Sequence, residues 1–167
     1  MKERTIIVDG FSKAYAMTGW RLGYAILPED LAPVVTLFNN NTFSCVATFV
    51  QMAGIAALTG PSEPVERMNA IFRERRDRLV GGLNKIANVS CVVPEGAFYA
   101  FPNFSKITKD DKALAKFLLE EAGVACLGGS SFGKAGTGHV RFSYAASFDD
   151  IDLALQRLAD HLPNYRS

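Results

Sequence analysis

Short apolar runs alternate along the chain with longer segments in which apolar residues recur every three or four positions. That alternation predicts strands and helices in turn. Thr5-Ile6-Ile7-Val8 is a β-branched run that reads as a buried strand, left by a turn over Asp9-Gly10-Phe11-Ser12-Lys13. Arg21 to Leu27 reads as a second strand, stopped by Pro28, and a helix runs from Glu29 through Phe38. Val46 to Leu58 is apolar on every side, which predicts a fully buried helix, and Thr59-Gly60-Pro61-Ser62 ends it.

The next helix is long, Pro64 to Ile86. Val65, Met68, Phe72, Leu79, Leu83 and Ile86 form one apolar stripe on it. The sign-alternating run Arg73 to Arg78 reads as its solvated face, and Gly81-Gly82 as a weak point or bend. Cys91-Val92-Val93 and Ala97 to Phe101 read as strands around the turn Pro94-Glu95-Gly96. Asp110 to Ala122 is an amphipathic helix stopped by Gly123. Val124 to Leu127 and Val140 to Tyr144 are strands. Ser147 caps a last helix whose buried stripe is Ile151, Ala154, Leu155, Leu158 and Leu162.

Strands alternating with helices give an α/β fold class. From about Val65 onward the layers are complete. The first sixty residues hold two strands and two very apolar helices that cannot cover each other. The expected organisation is therefore residues 1–64 as the end of a larger domain and 65–167 as a small α/β domain.

Composition narrows the function classes. Eighteen Lys and Arg balance seventeen Asp and Glu, so no basic field for nucleic acid exists. Leu31 to Ser62 carries no charge, but Asn39-Asn40-Asn41 breaks it and the remaining apolar piece is too short to span a membrane. Cys45, Cys91 and Cys126 are an odd set without CxxC spacing and read as reduced, buried thiols of a cytoplasmic protein. His139 and His161 do not stand at ligand spacing with them, so no metal site is expected.

The densest chemical signal is Gly10-Phe11-Ser12-Lys13-Ala14-Tyr15-Ala16-Met17-Thr18-Gly19-Trp20-Arg21-Leu22-Gly23. It sets a lysine in a turn after a strand, a hydroxyl before it, and an arginine eight residues on. A lysine is a nucleophile only once its amine has lost its proton. Ser12 and Arg21 offer a hydroxyl and a planar fork of donors, which suit a phosphate. A covalent lysine beside a phosphate clamp is what an enzyme holding pyridoxal phosphate needs. Taken singly, each residue reads as readily as a surface lysine in a turn or an arginine in a salt bridge.

As a whole the segment resembles the pyridoxal-phosphate lysine signature of the class I/II aminotransferases, the aspartate aminotransferase-like family. The resemblance continues through Gly60-Pro61, Arg75-Arg76-Asp77, Pro94-Glu95-Gly96-Ala97-Phe98-Tyr99, Ser131-Phe132-Gly133 and Gly138-His139-Val140-Arg141-Phe142-Ser143-Tyr144. It covers essentially the whole chain. It implies the C-terminal part of a fold-type I pyridoxal-phosphate-dependent transferase, namely the end of the large domain plus the small domain.

The resemblance also implies roles. Lys13 matches the lysine that links to pyridoxal 5'-phosphate and shuttles a proton, Arg21 matches the phosphate arginine, and Ser12 matches a phosphate-contacting hydroxyl. Arg141 matches the arginine that grips the substrate α-carboxylate. Many relatives carry serine where this chain has Gly10, so a phosphate donor is either lost there or replaced by a backbone N–H. Phe98 and Tyr99 are expected to pack around the domain junction and not to take part in chemistry. The family's carboxylate for the pyridine nitrogen precedes the lysine strand, so these 167 residues are expected to be a fragment. The implied partners are amino-acid and 2-oxo-acid substrates and a second copy of the chain, with no nucleic acid and no membrane.

Two other readings stand beside transamination: a lyase on the same scaffold, such as an aminocyclopropane-carboxylate synthase-like enzyme, and a non-catalytic association module. Gly128 to Lys134 fits the first seven positions of a P-loop, but Ala135 replaces the metal-binding hydroxyl and a strand follows instead of a helix.

Overall fold

The computed structural model describes residues 1–166. Packing divides the chain into two compact units, Met1–Glu66 and Arg67 onward.

In the first unit, β1 (Ile7–Gly10) leads into a single helical turn, α1 (Phe11–Ala14), and returns through β2 (Gly23–Ile26). The strands pair antiparallel, from Ile7 against Ile26 to Gly10 against Gly23. Helices α2 (Ala32–Thr42) and α3 (Thr48–Thr59) follow. The small core is Phe11, Met17 and Val50. Gly54 on α3 makes it possible, because a Cβ there would lie 2.5 Å from Leu22 Cδ2 and 3.5 Å from Phe11 Cζ.

Burial in this unit differs from expectation. Val8 on β1 is 78% exposed, and α3 buries only Val50 and Gly54 while Phe49 stands 71% exposed. The physical reason is topological. A two-stranded sheet has two open faces, and β-branched runs are buried only when a layer covers each face. Cys45 is likewise exposed, against the expectation of three buried thiols, while Cys91 is buried and Cys126 half-buried. Burial pushes the Cys126 thiol up to about 12, which keeps it a protonated, inert thiol.

The second unit has a complete core. Helix α4 (Glu63–Leu83) brings Leu79, Val80 and Leu83 to it. Three short strands, β3 (Tyr99–Ala100), β4 (Leu127–Gly128) and β5 (Val140–Ser143), form an antiparallel sheet in the order β3-β5-β4. Helices α5 (Asp111–Glu120) and α6 (Phe148–His161) supply Leu114, Leu118, Ile151 and Leu158. Gly82 is not a hinge but a contact: a Cβ there would collide with Leu155 of α6.

Helix starts follow the sequence closely. Ser147 Oγ accepts from the Asp150 N–H at 3.1 Å, as its capping position implies, and Asp110 caps α5 through the Ala113 N–H at 2.9 Å. Strands are shorter than the sequence suggests. Cys91 to Val93 forms none, and only Ser90 bridges Asn103. The Asn84 side chain satisfies Cys91 instead, bonding both its N–H and its C=O. The arginine run on α4 is not all solvated. The Arg75 guanidinium lies over the Phe72 and Phe148 rings, and Arg78 pairs with Asp152 at 2.8 Å.

No helix among the described residues is long and apolar enough to cross a membrane.

Candidate active site

The Gly10–Gly23 pair and a bond from the Phe11 N–H to the Leu22 carbonyl close the neck of one loop. Ser12 and Arg21 each stand two residues from that pair, at the two ends of the loop it closes. Lys13 is exposed on α1, directly beside Ser12. Arg21 adopts the left-handed region, φ 53°, and its Nη1 donates to the Thr18 carbonyl at 3.0 Å. Ala16 shares that conformation. Two non-glycine residues held at positive φ within one loop indicate a turn shaped for something other than stability. Among the described residues no carboxylate pairs with Arg21 and no protein group bonds the Ser12 hydroxyl.

At Gly10 the structure favours the lost donor over the backbone replacement. The Gly10 N–H already donates to Asp9 Oδ1 at 2.7 Å, so it does not stand in for a missing serine hydroxyl. Asp9 also faces Tyr24 across the strand pair, and that charge pushes the Tyr24 phenol up.

Arg141 belongs to the second unit. Along β5, Val140 and Phe142 turn into the core while Arg141 is half-buried on the other face. Its guanidinium carbon lies 4.1 Å from the centroid of the Tyr99 ring and 4.5 Å from that of Phe132. No carboxylate pairs with it among the described residues. Rings over a guanidinium use the face of the cation and leave its edge N–H donors available. The residue is therefore oriented without its fork being occupied. Tyr99 thus packs against the Arg141 guanidinium. Phe132 was visible in the sequence only as part of a motif.

Asp111 was missed altogether. It is 2% exposed at the first position of α5. Its Oδ1 accepts from the Ser130 N–H at 3.0 Å and the Ser130 hydroxyl at 2.7 Å, and its Oδ2 from the Gly138 N–H at 3.1 Å. The P-loop-like stretch is thus wound around a carboxylate and not a phosphate. A doubled acid, Asp110-Asp111, ahead of a helix was the available signal, but only the first is the cap.

Burial by itself raises the Asp111 pKa, yet the hydrogen bonds from Ser130 and Gly138 outweigh it and the net shift is downward from the ordinary 3.8. A depressed native pKa contributes stability that is fully present above 3.8 and is lost as pH falls through the native value. Urea unfolding of wild type and Asp111→Asn should therefore differ by a constant amount above that pH. The gap should narrow only in stronger acid; a gap that closed between pH 7 and 5 would contradict the assignment.

The family model for aminotransferase class I and II matches residues 1–158. The chain belongs to the class I and II aminotransferase family. It is 39% identical over 166 residues to an aspartate aminotransferase of Musicola paradisiaca, covering 99% of this chain and 42% of that protein. It is 42% identical to an aspartate aminotransferase of Bacillus subtilis, across 95% of this chain and 41% of the relative. Among solved structures, aspartate aminotransferase from Rhizobium meliloti superposes with a TM-score of 0.92 at 38% identity, over 97% of this chain and 42% of that one. An aromatic aminotransferase from Pyrococcus horikoshii gives 0.93 at 38% identity, over 98% and 44%. The chain thus spans about two fifths of the length of these relatives, and the fold is that of the pyridoxal-phosphate-dependent aminotransferases.

Aminotransferases of this family are in general pyridoxal-phosphate-dependent, act on amino and 2-oxo acids, and are typically homodimeric. The donor set on the first loop of this aminotransferase chain fits the cofactor. It offers an amine and, among the described residues, an adjacent hydroxyl that no protein group bonds and a guanidinium that no carboxylate pairs with.

Proposed function

We propose that this chain carries the lysine, part of the phosphate site and the substrate-carboxylate arginine of an aminotransferase that uses pyridoxal 5'-phosphate. The observation that carries the reading is Arg141, held over two rings with no carboxylate of its own. A cation kept so, on a strand of a family member, has an exchangeable anion as its natural partner.

The bound cofactor supplies an aldehyde carbon and a ring that draws electrons from the substrate Cα. This chain's residues do the rest. Ser12 donates a hydroxyl and Arg21 a charged fork to the phosphate, fixing the ring relative to β1. Lys13 Nζ would hold the aldehyde carbon at rest and, once the substrate amine has displaced it and set its own amine free, would take the proton from the substrate Cα and return it at C4′. Arg141 grips the substrate α-carboxylate and so limits how the amino acid can lie. An amino group passes from amino acid to 2-oxo acid in two such halves.

The reading includes a homodimer, supported by the open apolar faces of α2 and α3, and a cytoplasmic location, supported by three unbridged cysteines. Borohydride reduction of the full-length protein with pyridoxal phosphate, followed by peptide mass analysis, tests it. The adduct is expected on Lys13, and an adduct on any other lysine overturns the assignment. Release of 2-oxo acid from an amino acid, and not of elimination products, separates transamination from a lyase.

A further inference from the structure

We propose that Asp111 is a positioning residue for Arg141, acting through the loop that carries Phe132; this rests on reading Arg141 as the substrate-carboxylate arginine. The loop from Gly129 to Gly138 contains two 3₁₀ turns and no strand, and bends at Gly133, φ 120°, and Gly138, φ 74°. Several of its hydrogen bonds stay within it, such as Gly133 N–H to Ser130 O and Gly136 N–H to Gly133 O. Asp111 comes from a different element, α5, and takes donors from both ends of the loop at once. Phe132 stands two residues past Ser130, and Arg141 three past Gly138. One carboxylate therefore sets the separation of the ring and the strand whose guanidinium that ring must meet at 4.5 Å.

Two features argue that a carboxylate is required and not merely tolerated. Its oxygens are held by two backbone N–H groups and one hydroxyl, and among the described residues no cation pairs with it. Asparagine would turn an NH₂ donor toward one of those donors, leaving both unsatisfied. Burying a charge without a cation is costly, so the group would be expected to be replaced by a neutral one if packing were its only task. The backbone also makes room for it. A Cβ on Gly128 would lie 2.6 Å from Asp111 Oδ1, and Gly128 is paired with Val140 while Leu127 is paired with Arg141 itself. Asp111 is thus seated against the strand next to the one that presents Arg141.

The consequence is a selective one. Loosening the loop lets Phe132 and the guanidinium drift, which degrades a bidentate grip on carboxylate while leaving Lys13 and the cofactor phosphate alone. Misplacement by an ångström at a reacting centre costs up to about a hundredfold.

The test uses the full-length holoenzyme with Asp111→Asn, Ser130→Ala and, in parallel, Arg141→Lys. Asp111→Asn is expected to raise KM for both amino acid and 2-oxo acid by about tenfold, with kcat within about twofold and the cofactor's visible absorption unchanged. Ser130→Ala, which deletes one hydroxyl bond, should show the same split at about threefold. Phe132→Leu added to Asp111→Asn should raise KM no further than the worse single change, because both act through one contact. A lowered melting temperature with KM unchanged makes Asp111 structural only and overturns the inference. If Asp111→Asn does not fold, Ser130→Ala decides, and an unchanged KM there overturns it equally. Arg141→Lys separates the failures. If it raises KM and the other two do not, this inference falls alone; if it leaves KM unchanged, the carboxylate reading of Arg141 falls with it.

Discussion

Arg141→Ala in the full-length holoenzyme is expected to lower kcat/KM by between about 30-fold and about 5,000-fold, corresponding to ~2–5 kcal/mol for a truncated charge pair. Cofactor affinity should not change. The magnitude follows from what the guanidinium offers: a planar edge of donors, already oriented over Tyr99 and Phe132, and no internal carboxylate to take it back. Truncation would remove both charge-assisted hydrogen bonds and leave the substrate carboxylate beside two rings and no cation. Steady-state kinetics with the amino acid and the 2-oxo acid in turn, together with a titration of pyridoxal phosphate, check it. A loss confined to cofactor binding, or kcat/KM within twofold of wild type, would show that Arg141 is structural.

The 167-residue polypeptide produced by itself should show no measurable transaminase turnover and should self-associate. The ring draws electrons most strongly with its pyridine nitrogen protonated, and the family resemblance implies a carboxylate to hold it so. The acid nearest Lys13 in the sequence is Asp9, and it is engaged by the Gly10 N–H and the Tyr24 hydroxyl. Lys13 alone can take up the aldehyde but cannot complete the chemistry. Self-association follows from surface. Phe38 and Phe43 are each 64% exposed and sit with Val34, Leu37, Phe49, Met52 and Ile55 on α2, α3 and the link between them. Apolar area of that extent finds a partner in water. Light scattering and a coupled keto-acid assay measure the two halves, and a clean monomer or robust turnover would contradict them.

Much of the fold was legible because its signals are local. The stripe on α4, the Ser147 cap and the amphipathic patterns of α5 and α6 depend on neighbours three or four residues away, and they stand where the sequence puts them. Strand edges were less legible. Cys91 to Val93 has the composition of a strand, yet Asn84 takes the Cys91 backbone groups, and no pattern in a β-branched run announces that.

The candidate site divides along the same line. Lys13, Ser12 and Arg21 lie within ten residues, so a single motif exposed them, and the hairpin register had only to close the loop. The sequence by itself determined the family and singled out Lys13, Ser12, Arg21 and Arg141 as candidates. Only the tertiary structure decided that Arg141 rests on Tyr99 and Phe132, that Asp111 ties Ser130 to Gly138, and that β1 and α3 lie open. The partners of Asp111 stand 19 and 27 residues away from it. Contacts at that separation are set by how α5 packs beside β4 and β5, a property of the assembled layers and not of any window of the chain.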